Sequence, residues 1–385
     1  MTDATPRPGA PAPDPDLLYS EDEEALRAAV RSLLADRCAP ATVLAGLESG
    51  AAHDTGLWRA LATDIGTAGL LVPEKLGGHG ASAREAAVVL EELGRSVAPV
   101  PYLTSAVIAV TALLGCGDGT EVTGPLAALA AGRTIGVLAL PLPTAPGAPP
   151  DVAVRAAADG SLTGRVTSVA DAASAELLLV PAEGPDGPAL YAVAAAAEGV
   201  RIETVTPLDL TRPLGHLTFD GASGRLLATG DRARAAVDRA LLTGAGLLAS
   251  EQLGVAEWCL AETVRHTAGR TQFGRPVGSF QALKHRMAAL WLEVASARAA
   301  ARYAADALAA DSPDAPVAVA VAQAYCGPVA VRAAEECVQL HGGLGMTWEH
   351  PAHLFLKRAK SDELALGSPG RHRNALGPLV GIDAP

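Results

Sequence analysis

Aromatic residues make up only 3% of this 385-residue chain, although 49% of it is hydrophobic. Its core must therefore be filled by Ala, Leu and Val, and small side chains of that kind suit closely packed helices. Cysteine is scarce as well. Cys38, Cys116, Cys259, Cys326 and Cys337 stand apart, with no CxxC pair and no histidine cluster beside them in the sequence. Such spacing points to neither a disulfide framework nor a zinc site, and no metal ligands are expected; buried, idle thiols are the simpler reading. Basic charge is also in deficit: 30 Lys plus Arg face 42 Asp plus Glu, a formal net charge of −12. That balance argues against a chain built to grip nucleic acid. No apolar run is seen to approach the roughly 18 residues of a membrane span. The first twenty residues hold five prolines and no apolar core of a signal peptide, so a cytoplasmic protein with no membrane partner is expected.

What is present divides the chain into parts. Residues 1–16 read as a disordered Pro/Ala/Asp tail. Ser20 with Glu23 forms a capping box ahead of Leu26, Val30, Leu33 and Leu34 at helical spacing, which opens an N-terminal helical domain, 17–130. Its Gly-rich stretch Leu71–Gly80 follows no strand and reads as a helix–helix connection. Across 131–228 short β-like runs alternate with Pro, Gly and Asp turns. They cover Ile135–Leu140, Val152–Ala156, Glu176–Val180, Ala189–Val193 and Leu217–Phe219, and predict an antiparallel barrel or sandwich. Residues 229–385 return to helix. In the clearest one, Ser279–Ala310, Phe280, Leu283, Met287, Leu290, Val294, Ala297, Ala301, Ala304 and Leu308 step by three and four, the seam of a bundle helix about 48 Å long. Met287 and Trp291 are assigned to core packing. The fold class is α+β, mostly α, with a four-helix bundle at the C-terminal end.

Two glycine-containing turns between helices carry the groups suited to a ligand. One runs from Arg270 through Phe273, Gly274, Arg275 and Pro276 to Gln281. The other runs from Gln339 through His341, Gly342, Gly343 and Gly345 to Trp348, Glu349 and His350. Backbone approaches a ligand closely at such turns, and Arg270 and Arg275 suit a phosphate or carboxylate. Taken alone, both are also ordinary capped turns.

These two segments resemble signatures of the acyl-CoA dehydrogenases. Arg270-x-Gln272-Phe273-Gly274-x-Pro276-Val277 with Phe280-Gln281 is one. Gln339-x-His341-Gly342-Gly343-x-Gly345-x-Thr347, then Glu349-His350 and Lys357-Arg358-Ala359-Lys360, is the other. Val72-Pro73-Glu74, Gly77-Gly78 and Glu91-Glu92-Leu93-Gly94-Arg95 match too, as does the α, β, α order, so the likeness covers nearly the whole chain. Ala98–Leu103 and Thr347-Trp348-Glu349-His350 look like a branch abundant in actinobacteria that serves steroid side-chain, branched-acyl or secondary-metabolite chemistry. The resemblance implies FAD-dependent α,β-dehydrogenation of an acyl-CoA: a carboxylate takes the proton α to the thioester while hydride leaves the β carbon. It also implies electron-transfer flavoprotein as acceptor. Arg270, Phe273, Gln281, Gln339, Gly342, Gly343, Gly367 and Ser368 are the cofactor contacts it carries over.

The same resemblance exposes gaps. The family's usual catalytic Glu falls on Leu366, and the position used by a minority of members falls on Gly244. Neither residue takes a proton, so no catalytic residue is assigned. Glu251, Asp362 and Glu363 are the alternatives for a displaced base, with helix-surface roles preferred for Glu251 and Glu363. The family's Thr-Glu-Pro-Gly loop is replaced by Leu140–Asp151, and its flavin-packing Trp falls near Ser168, with Thr167 and Ser168 as residual contacts. Groups reaching a neighbour's FAD are kept, whereas those serving the chain's own site are lost. That pattern is similar to the degenerate subunit of heteromeric enzymes, in which two catalytic and two degenerate chains share two FADs. The expected partner is thus a paralogous subunit, in a heterotetramer. A self-sufficient homotetramer and a flavin-free scaffold on the same fold are the alternatives.

Overall fold

Ser20 opens the first helix as predicted. Its side chain accepts the Glu23 N–H at 3.2 Å, and the Glu23 carboxylate accepts the Ser20 N–H at 2.6 Å, so two otherwise orphaned donors are satisfied. The computed structural model describes residues 17–50, 53–147 and 152–382; the predicted tail lies outside these. The first helical segment comprises α1 (Glu21–Arg37), α2 (Pro40–Glu48), α3 (Thr55–Arg59), α4 (Ala83–Ser96), α5 (Val110–Gly115) and α6 (Thr120–Ala130). A second capping box, Ser82 with Glu85, opens α4; sequence reading passed over it.

The middle segment holds β1 (Gly136–Leu138), β2 (Val154–Ala156), β3 (Ser161–Ala170), β4 (Leu177–Gly184), β5 (Gly187–Ala194), β6 (Val200–Val205), β7 (Leu214–Ser223) and β8 (Arg225–Thr229). Their order is β6-β7-β3-β2-β4-β5-β8, with β1 beside β4. Pairing is antiparallel except where β1 and β2 meet β4. Val166, Leu178, Val180, Leu217 and Phe219 form a separate core on this sheet. Strands β3, β6 and β8 were not anticipated, because their exposed positions are mostly Thr, Arg and Glu, which blur the apolar alternation.

The remainder is α7 (Gly230–Gly269), a short hairpin of β9 (Thr271–Gln272) and β10 (Arg275–Pro276), α8 (Gln281–Ala309), α9 (Ala315–His341), α10 (Ala352–Leu364) and α11 (Pro369–Leu379). It shares one hydrophobic core with the first helical segment. The join is a backbone-to-backbone approach of α4 and α7. A Cβ at Gly94 would overlap the Glu251 carbonyl, and one at Gly254 would overlap the Glu91 carbonyl. On α8 the predicted seam is buried from Leu290 to Leu308, but only half-buried at Phe280, Leu283 and Met287. Trp291 is 62% exposed, which corrects its assignment to the core. The segment Ala315–Met346 is, by length and composition, long and apolar enough to cross a membrane, contrary to the expectation from sequence. Its most apolar window is 67% buried against neighbouring elements, the position of a core helix.

Two polar contacts fasten the sheet to the helices. Asp171 accepts Thr104 Oγ1 at 2.6 Å and lies 2.8 Å from His53 Nε2, whose other ring nitrogen meets Ser174 Oγ. The larger contact is a buried ion cluster. Arg358 on α10 donates to Asp209 at 2.6 Å, to Thr211 Oγ1 at 2.6 Å and to Glu251 on α7; Arg212 donates to Glu251 at 2.6 Å. Two guanidinium groups thus balance Glu251 and Asp209. Burial would raise the Glu251 carboxyl, but Arg212 and Arg358 hold it below its ordinary value. Asp362 is the odd member: its oxygens have no hydrogen-bond partner among the described residues. Burial, then the Glu251 charge, raises it well above the usual carboxyl range, against the opposing pull of Arg212 and Arg358.

Four substitutions test this packing through stability. Gly254→Ala must push α4 from α7 and should cost about 3 kcal/mol or more, read as a lowered thermal midpoint. Gly244→Ala, whose Cβ would meet the Ile108 side chain at 2.8 Å and that of Leu366 at 3.2 Å, should cost less; equal losses would contradict the backbone contact. Arg358→Met leaves Glu251 and Asp209 under-compensated and should cost about 3–5 kcal/mol. For Asp362 the sign is opposite. Its folded pKa exceeds its unfolded one, so its stabilising contribution is full only below about pH 4 and is lost as pH rises. Asp362→Asn removes that loss and should melt at or above the parent at pH 7; a clearly lower midpoint would show that the carboxyl is ionised and needed.

Candidate functional site

The turn after α7 is built by two left-handed residues, Phe273 (φ 52°) and Gly274 (φ 73°), between β9 and β10. Arg270 ends α7, its N–H bonding His266 O at 2.9 Å and its carbonyl accepting Val277 N–H at 2.8 Å. Its guanidinium has no side-chain partner among the described residues and is exposed to solvent. Phe273 is 91% exposed, touching Phe280 edge-on at 6.2 Å, while Arg275 covers the Phe280 ring at 3.9 Å. Gln281 is exposed beside them. At the end of α9, Gly342 (φ 62°) breaks the helix, leaving Gln339, Gly342 and Gly343 exposed, with Met346 and Trp348 at 83% and 66%. Six of the eight predicted cofactor contacts are therefore solvent-facing groups on the last helical segment. Backbone donors and an unpaired guanidinium of this kind fit a pyrophosphate, and exposed aromatic surface fits a flat ring.

Gly367 and Ser368 lie elsewhere, in the buried turn from α10 to α11. Ser368 Oγ caps α11 by accepting the Arg371 N–H at 3.3 Å. Gly367 (φ 104°) is wedged against Ala145 and His372. The residue before it, Leu366, is itself left-handed (φ 54°) and buried; its N–H bonds Leu142 O at 2.7 Å, and its carbonyl accepts from His372 Nε2 at 2.9 Å.

The two positions that the resemblance offered for a catalytic carboxylate meet in space. Gly244 on α7 faces Leu366 and Ile108. The junction is apolar and filled. Over it lies the replaced loop: Leu142 N–H bonds Ser168 O at 2.9 Å, and Ala145 packs at Gly367. Ser168 N–H donates to His216 Nδ1 at 3.1 Å, so both backbone groups of Ser168 are engaged within the chain, and Thr167 points to solvent. This part does not fit a flavin ring. Residues 148–151 of the loop lie outside the described residues. Of the displaced-base alternatives, Glu251 is locked by two arginines, a buried role rather than the helix-surface one expected. Glu363 pairs with Lys360 at 3.2 Å on the surface of α10. Asp362 has no hydrogen bond among the described residues, but its Oδ1 lies 3.4 Å from Arg212 Nη2 and the carboxyl is fully buried within the ion cluster.

A cavity of about 460 Å³ opens between the sheet and the start of α7. Pro181, Ala182 and Ala189 form one wall, Ala233, Val237 and Leu241 the other, with Arg234 and Asp238 also lining it. Its size and apolar walls suit an extended organic ligand. Sequence reading missed it, because the walls come from segments that only folding brings together.

Residues 20–133 match the acyl-CoA dehydrogenase N-terminal domain, and residues 234–378 the acyl-CoA dehydrogenase C-terminal domain. The acyl-CoA dehydrogenase IpdE2 of Mycolicibacterium smegmatis is 36% identical over 351 residues, 91% of this chain and 96% of that protein. The fold is similar to a chain of the ChsE4–ChsE5 complex from Mycobacterium tuberculosis, with TM-score 0.85 and 32% identity over 96% of this chain and 100% of that one. A variant of the Tcur3481–Tcur3483 steroid ACAD is 30% identical, with TM-score 0.81, over 94% and 98% of the two chains. With its helical, β and helical parts in that order and both end segments matched, this chain belongs to the acyl-CoA dehydrogenase family.

Proposed function

We propose that this chain is the non-catalytic subunit of a heteromeric, FAD-dependent acyl-CoA dehydrogenase, acting in the cytoplasm on an acyl-CoA thioester. One observation carries the reading: both places available for the base are occupied by Leu366 and Gly244, packed on Ile108. Glycine has no side chain and leucine has no titratable group, so the chain cannot abstract an α proton there. Two of the relatives are named as two-component assemblies, ChsE4–ChsE5 and Tcur3481–Tcur3483, which supports a paralogous partner. FAD bound between the two chains would accept the hydride and pass electrons on to an electron-transfer flavoprotein. The role of this chain is positional. Arg270, Gln339 and the Gly342–Gly343 backbone would hold phosphate and adenosine groups of the FAD, with Phe273 and Gln281 as further contacts. The partner supplies the carboxylate.

A second reading is a self-sufficient enzyme with a displaced base, for which Asp362 is the candidate, a buried carboxyl with no hydrogen-bond partner among the described residues. The two readings separate cleanly. In the complex of this chain with its paralogue, Arg270→Ala should weaken FAD retention at least tenfold by removing a charge-assisted contact, whereas Asp362→Asn should leave turnover within about twofold. A lone chain that oxidises acyl-CoA and loses that activity on Asp362→Asn would overturn the proposal. Colourless protein from every co-expression would favour the flavin-free scaffold instead.

A further inference from the structure

Glu262 on α7, His341 at the end of α9 and His350 just before α10 converge beside the Gly342–Met346 turn. Their ligand-capable atoms all lie within 4.8 Å of one another. The sequence hid this group, since the three residues are far apart and no cysteine has a histidine cluster beside it in the chain.

The hydrogen bonds fix what each ring presents. His341 Nδ1 donates to the Cys337 carbonyl at 2.6 Å, so in the neutral ring Nε2 carries the lone pair. That Nε2 is buried, has no hydrogen-bond partner among the described residues, and faces Glu262 Oε1 at 3.6 Å. A lone pair aimed at a carboxylate oxygen is repulsive, and either a proton on the ring or a metal ion between the two removes that repulsion. His350 Nε2 donates to the same oxygen at 3.4 Å, since its Nδ1 accepts the Ala352 N–H. A tetrahedral ion about 2.0–2.2 Å from nitrogen and oxygen ligands sets those ligands about 3.3–3.5 Å apart, so the two edges nearly match such a site. The His341 ring is also held on two sides, by His266 and His350, each with its centroid 4.1 Å away. A ligating histidine whose other N–H is bonded to a backbone carbonyl is the usual outer arrangement of a metal site. Cys337 Sγ lies 3.7 Å from His341 Nδ1, on the far side of the ring, and is not a ligand.

Two contacts oppose an ion. Arg265 donates to Glu262 Oε1 at 2.5 Å and Oε2 at 2.8 Å, but its side chain is 74% exposed and free to swing into water. His350 Nδ1 accepts the Ala352 N–H at 3.2 Å; ligation through Nε2 moves the ring proton to Nδ1 and breaks that bond. Both costs place the affinity below that of a closed structural zinc site.

We propose that Glu262, His341 and His350 form a binding site for a divalent transition-metal ion of the zinc class, with its fourth position open to water. The test reads metal binding directly and needs no turnover. The full-length chain, stripped with chelator, is titrated with zinc chloride by calorimetry and with cobalt(II) by visible absorption. About one equivalent should bind, giving the strong bands of a tetrahedral cobalt site and a raised thermal midpoint. His341→Gln and Glu262→Gln should each weaken binding about 10-fold or more, with folding checked by circular dichroism, while His285→Ala on the exposed face of α8 should change nothing. Absence of binding, or equal binding by parent and both variants, would overturn the proposal; the latter would mark an adventitious ion only.

Discussion

The buried ion cluster around Glu251 is the constraint from which the remaining geometry follows. It draws a loop of the middle sheet, through Asp209, Thr211 and Arg212, onto Glu251 of α7 and Arg358 of α10. Inside it Arg212 and Arg358 face Glu251 and Asp209, with Asp362 as a third buried carboxyl 3.4 Å from Arg212. Buried ion clusters are weak contributors to net stability but costly to break, so its effect is to specify how three segments meet. With α7 and α10 held this way, the turn after α10 is delivered to α7, and Leu366 comes to rest on Gly244.

That contact converts a likeness into a functional statement. The family's chemistry needs a carboxylate at one of two places, and the fold presents both as one apolar junction. The loop over it reinforces the point: Leu142 bonds Ser168 on one side and Leu366 on the other. Meanwhile groups of value to a ligand, Arg270, Phe273, Gln339 and the two glycines, face outward. A filled junction inside and ligand-ready groups outside are what the proposed assembly asks of this chain.

Much of this was legible in the residues, and the failures are instructive. The Ser20–Glu23 box, the bundle helix seam from Leu290 to Leu308 and both glycine turns are local patterns, set by capping and periodicity. Trp291 failed because it lies one residue off the seam, next to buried Leu290, and so turns to solvent, whereas Phe280, Leu283 and Met287 lie on the seam but are only half-buried. Strand β3 failed because its exposed positions are Thr and Arg. The Asp171–His53 contact, the cavity beside α7 and the Glu262–His341–His350 group are invisible for another reason. Each joins segments that only tertiary folding brings together. The meeting of Gly244 with Leu366 was beyond sequence in the same way, although both positions had been marked separately.

The central claim is that this chain equips a site it does not own. Its most direct measurement is the FAD content of the purified chain alone and of its complex with the co-encoded paralogue, alongside acyl-CoA oxidation by each. The account predicts little FAD and no turnover for the lone chain, against one FAD per pair of chains and full turnover for the complex. One FAD per chain with turnover by the lone protein would contradict it.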